Sequence, residues 1–169
     1  MTEEEYDKKT ELWMLSVKNH LIENIDLSKL NQNENYKKFA VSCFKIDDGD
    51  TYMDFPAGCI YDPKAILRLK IDEFKDDAKK FSMGASFCVD MQLIYYHDKL
   101  IYSCCMSGYD DFGDNVPIPY SVSDTILYFK NSDKMLSKIT DTINNWINHL
   151  LDYYDPDFST DLDKLIKGM

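Results

Sequence analysis

The residues of this chain best suited to chemistry are carboxylates, and they fall in two groups. The fourteen-residue stretch GYDDFGDNVPIPYS, from Gly108 to Ser121, sets Asp110, Asp111 and Asp114 among the rings of Tyr109, Phe112 and Tyr120. A second run, Asp47, Asp48, Asp50 and Asp54, has no basic residue within it. Paired carboxylates do acid/base work when their surroundings push two pKa values apart. The first group sits in a polar, glycine-containing segment where water would hold all three acids alike. Pro117 and Pro119 stiffen its exit, with Val116 and Ile118 between them as anchors. Such a segment suits recognition better than proton transfer, because rings supply buried anchors and acids steer an oppositely charged surface. A solvated acidic loop with no partner is the plainer alternative.

Other chemistries find less support. DDGD and DDFGDN resemble calcium loops, but with Gly49 or Gly113 at the sixth position the leading residue would be Phe44 or Gly108 rather than aspartate. The tripeptide DFG stands without the lysine strand and catalytic loop of a kinase. Of the three histidines, His20 and His149 fall on expected helices without a second ligand at metal spacing, and His97 falls on a hairpin tip beside Asp98. Cys104 and Cys105, adjacent on a strand, would point to opposite faces and not share an ion. There is no G-x-S-x-G elbow and no phosphate-cradling glycine loop. The expectation is no catalytic residue, no metal and no cofactor. An enzyme with an unrecognised site is kept as an alternative.

Charge narrows the partner. Thirty acids against nineteen bases leave −11 at pH 7, which opposes direct binding of nucleic-acid phosphates and favours a basic protein partner. Acidity also serves solubility. Eighteen of the bases are lysines and one is arginine, Arg68, so a bidentate anion clamp has a single candidate. The five cysteines lack C-x-x-C spacing and read as reduced, mostly buried small apolar groups. An acidic start without an apolar signal core, and no run long enough to span a membrane, point to a cytoplasmic protein.

These residues are to be positioned by one domain over residues 1–169. Trp13, Val17, Leu21 and Ile25, widened by Met14 and Ile22, predict a first helix from Thr2 or Glu3 to Asp26. Phe39 to Ile46 reads as a strand buried on both faces, turning at Asp48-Gly49 into a return strand, Thr51 to Phe55. Asp62-Pro63 reads as a helix start, and Leu67, Ile71, Phe74, Ala78 and Phe81 as the stripe of a second long helix ending at Gly84. A strand reading of ILRLKI competes with it. ASFCVDMQLIYY and LIYSCCMSG form a hairpin around His97-Asp98-Lys99, and Thr125 to Phe129 a fifth strand. Asn131 or Ser132 caps the third long helix, which carries Leu136, Ile139, Ile143, Trp146, Ile147, Leu150 and Tyr154. A short helix, Thr160 to Lys167, closes the chain. The expected fold is α+β, in the order α-ββ-α-βββ-α-α, with a mainly antiparallel sheet of about five strands.

A compact cytoplasmic α+β domain with strong negative charge, aromatic-acidic loops and no catalytic signature resembles the immunity proteins of bacterial polymorphic toxins, including contact-dependent growth inhibition systems. The resemblance lies in the character of the whole chain. It implies tight binding to a toxic nuclease or other effector domain whose active site is blocked by acidic residues. Tyr109, Asp110, Asp111, Phe112 and Asp114, with Asp47, Asp48, Asp50 and Asp54, are then the partner-binding candidates. The alternative is a phage or mobile-element protein that mimics nucleic acid, which calls for acids spread along an extended face.

Overall fold

The computed structural model describes residues 1–32, 38–47, 57–63, 65–73, 85–110 and 125–153. Their order is α1 (Glu3–Asn24), α2 (Ser28–Asn31), β1 (Phe39–Asp47), β2 (Ala65–Glu73), β3 (Ala85–Tyr96), β4 (Lys99–Asp110), β5 (Ile126–Phe129) and α3 (Ser132–Tyr153). The five strands form one antiparallel sheet in chain order, β1-β2-β3-β4-β5. Both long helices lie on one face of it, so the fold is two layers of α+β.

Local chemistry explains the element ends. The Thr2 hydroxyl accepts from the Glu5 N–H, and the Glu5 carboxylate accepts from the Thr2 N–H, a reciprocal cap on α1. That hydrogen bonding holds the Glu5 carboxyl below the usual carboxylate range. Asn131, not Ser132, caps α3: its side-chain oxygen accepts from the Asp133 N–H at 2.7 Å. His97 and Asp98 take φ of 46° and 59°, the two-residue turn whose twist matches a β-hairpin. Asn31 in α2 bonds both the N–H and the carbonyl of Phe39, fixing where β1 begins.

Alternation then decides what is buried. Leu67, Leu69 and Ile71 of β2, Phe87, Val89 and Met91 of β3, and Cys104 and Met106 of β4 face the helices and are buried with them. α3 adds Met135, Leu136, Ile139, Ile143, Trp146, Ile147 and Leu150. The Trp146 ring lies 5.3 Å from Phe87 and 6.3 Å, edge-on, from Phe39. A second cluster ties the start of α1 to the hairpin. Tyr6 stacks on Tyr61 and donates its hydroxyl to the Leu93 carbonyl at 2.7 Å. Gly58 belongs to the same corner. Its φ is +98°, and a Cβ there would come within 3.1 Å of the Tyr96 ring.

Several expectations change. β1, expected to be buried on both faces, stands at the end of the strand order, and only Phe39 and Cys43 of it are buried. Ala65–Glu73 is a strand in the middle of the sheet, paired with both β1 and β3, and not the start of a second long helix. The physical reason is period: apolar Leu67, Leu69 and Ile71 alternate with Arg68, Lys70 and Asp72. Two strand neighbours complete hydrogen bonds that a helix would have closed internally. Among the described residues the order is accordingly α-α-β-β-β-β-β-α, with two long helices and the single turn of α2; the remainder of the expected second helix, Phe74 to Gly84, lies outside them. The partner of β1 is β2 along all nine residues, from Phe39↔Glu73 to Asp47↔Ala65. The expected return strand Thr51–Phe55 and the tail helix Thr160–Lys167 lie outside the described residues. Ile22, expected to widen the buried stripe of α1, is 42% exposed.

Candidate functional site

The register locates the two acidic groups. β1 ends at Asp47 opposite Ala65, while β4 ends at Asp110 opposite Ala85. Because β2 runs against β1 and β3 against β2, Ala85 lies at the end of the sheet where β1 begins. Asp47 and Asp110 therefore stand at opposite ends, about 26 Å apart along the strands at ~3.3 Å per residue.

The sequence reading began its loop at Gly108, but the hairpin continues further. Phe87 pairs with Gly108, Ser86 with Tyr109 and Ala85 with Asp110. The backbone of Tyr109 and Asp110 is thus held in a twelve-residue strand. Asp111, Phe112 and Asp114, like Asp48, Asp50 and Asp54, lie outside the described residues. Asp47 is 89% exposed in its side chain, and Lys45 Nζ approaches it at 3.9 Å. A pair so open to water contributes little and leaves the carboxylate available to a partner.

The sheet face away from the helices holds a polar group that the sequence reading did not assemble. Arg68 Nε and Nη2 donate to Asp90 Oδ1 and Oδ2 at 2.7 and 2.8 Å, a planar two-point pair across β2 and β3. The side chains are 21% and 12% exposed. The lone arginine is thereby committed to a carboxylate of its own chain. Two residues along β3, Gln92 pairs in register with Ser103 and is buried, and among the described residues neither atom of its amide has a hydrogen-bond partner. The signal for this group was present in the alternation of ILRLKI, which puts Arg68 on the face opposite Leu67 and Leu69.

Four of the five thiols are held away from reactivity. Burial pushes Cys43 and Cys88 up to about 11, and Cys104 up to about 12; Cys59 is raised by the same cause. At neutral pH these sulfurs carry their protons, which is the wrong state for a nucleophile. Cys104 is buried among the helices while Cys105 points to the other face, as adjacent strand residues must. His97 and Asp98 are exposed at the hairpin tip, with the His97 ring 4.2 Å from that of Tyr96. Among the described residues, no group of three or more His, Cys, Asp or Glu side chains is placed to hold a metal ion. Among them too, no helix is long and apolar enough to cross a membrane.

Comparison with known protein families, with curated proteins and with solved structures finds no match.

Proposed function

We propose that this chain is a non-enzymatic, cytoplasmic binding protein that neutralises a basic toxin domain, with a nuclease as the class that fits best. It would do so by covering the active or substrate-binding site with an acidic and aromatic surface. The observation that carries this reading is the run that begins at Tyr109 and Asp110. Three acids and three rings lie within fourteen residues of a chain of net charge −11, and the first of them leave directly from the end of a strand paired along its full length. A surface rooted on a rigid element loses less entropy on binding than a free segment. Opposite charge speeds capture of a basic domain before it reaches its substrate.

The separation of Asp47 from Asp110 favours a second reading, a nucleic-acid mimic that blocks a nucleic-acid enzyme. Acids at both ends of a sheet span a length that a compact patch does not need. One experiment separates the two. The chain is used to capture proteins from lysate of its source organism, beside two variants. One carries Asp110→Asn, Asp111→Asn and Asp114→Asn; the other carries Asp47→Asn, Asp48→Asn, Asp50→Asn and Asp54→Asn. The neutraliser reading expects a basic domain that survives a high-salt wash and is lost only from the first variant, with melting temperature unchanged. Equal loss from both variants, with a nucleic-acid enzyme recovered, supports mimicry. Undiminished capture by the first variant removes the loop from the interface.

A further inference from the structure

The exposed side of α1 is patterned as if for another helix. Leu12 and Leu15 are 60% and 57% exposed and Ile22 is 42% exposed. With Asn19 between them they recur at spacings of three, four and three residues. At about 100° per residue this stripe falls opposite Tyr6, Met14, Val17 and Leu21, which α1 buries against its own sheet. Alternating steps of three and four make the seam along which two helices pack, whereas a helix that faces only water keeps that side polar. A shallow groove of about 290 Å³ runs between α1 and β1 beside this stripe, lined by Leu15, Lys18 and Lys45.

The charges beside the seam select its occupant. Glu11 and Lys18 flank Leu15 along the same edge of the helix, and among the described residues neither belongs to an ion pair. Consider a second copy of α1 laid antiparallel, with Leu12 opposite Leu15 of that copy. Two Leu12–Leu15 contacts form at once, and Glu11 of each copy comes within one helical turn of Lys18 of the other. A strongly basic helix would be repelled by Lys18 and Lys45, and a strongly acidic one would leave Glu11 without a partner. The chain's own helix satisfies both charges.

We propose that α1 is a self-association face, through which two copies of this chain pack antiparallel about a two-fold axis. The surface is self-complementary, as a two-fold interface requires. It is smaller than the roughly 1,200–2,000 Å² of a standard stable interface, and two chains of net charge −11 repel at long range. The dimer is therefore weak and depends on concentration. The proposal uses neither acidic strand end, so it stands or falls independently of the neutraliser reading.

Sedimentation equilibrium of the full chain over a wide range of concentration tests it. The expected mass rises from 19.8 kDa toward twice that value. Leu12→Ser with Leu15→Ser should remain monomeric throughout. Glu11→Lys alone, or Lys18→Glu alone, turns both cross-pairs repulsive and should weaken association about tenfold. Combining the two should restore it to within about threefold of the wild type. All these positions are on the surface, and an unchanged circular-dichroism melt verifies that each variant folds. A mass of 19.8 kDa at every concentration, association that survives the leucine changes, or a double swap that fails to recover would each overturn the proposal. So would finding that the seam binds a foreign helix while the chain stays monomeric.

Discussion

The two long helices are each 22 residues and lie side by side on the same sheet face, yet they use their apolar residues differently. α3 turns its stripe inward: Met135, Leu136, Ile139, Ile143, Trp146, Ile147 and Leu150 are buried. α1 divides them. Tyr6, Met14, Val17 and Leu21 face the sheet, while Leu12, Leu15 and Ile22 face outward. The attachments differ as well. α3 is held by packing, with Trp146 wedged against Phe39 and Phe87. The first half of α1 is held partly by directed bonds, Tyr6 to the Leu93 carbonyl and Trp13 Nε1 to the Ser132 hydroxyl at 3.0 Å. One helix is a lid for the core alone. The other is a lid with a second face, and the balance of apolar residues on its two sides shows it.

The contrast can be broken or sharpened by substitution. Trp146→Ala should cost about 3–5 kcal/mol, because a large ring leaves the middle of the core. A loss below about 1 kcal/mol in denaturant unfolding would mean that α3 is not held by this packing. Tyr6→Phe should cost about 1–2 kcal/mol, since it leaves the buried Leu93 carbonyl without its donor. No change there would reduce α1 to apolar packing like α3 and erase that half of the contrast. Gln92→Leu, beneath neither helix, should stabilise by about 1 kcal/mol, because it replaces an unpartnered buried amide with an apolar group of similar size. Destabilisation would show that the amide has a partner. The smallest effect belongs to the outer face of α1. Leu15→Ser at low protein concentration should shift stability by no more than about 0.5 kcal/mol. A core-sized loss would place Leu15 inside the fold and end the two-faced description.

Several of the described elements were legible before the structure. The helical periods of α1 and α3, and the hairpin around His97-Asp98, are local signals. Each is written in residues within a few positions of one another, and the structure has all of them. The error lay at Ala65–Glu73. Asp62-Pro63 looks like a helix start, and Leu67 and Ile71 sit at helical spacing as well as strand spacing, so local chemistry supported both forms. The neighbouring β1 and β3 settled it by supplying hydrogen bonds to both edges of the segment.

The candidate site divides in the same way. Composition and spacing identified the acidic groups and the solitary Arg68. Residue types alone could not say that Arg68 would be occupied by Asp90, twenty-two positions away, or that Asp47 and Asp110 would close opposite ends of the sheet. By itself, the sequence determined the net charge, the periods of the helices and of the central hairpin, and the turns that bound them, because these depend on neighbours in the chain. Tertiary structure alone decided that Ala65–Glu73 pairs as a strand with β1 and β3, and that Ile22, expected in the buried stripe of α1, falls in the outer one with Leu12 and Leu15. Both stripes have helical spacing, and only the one facing the sheet found apolar surface to bury.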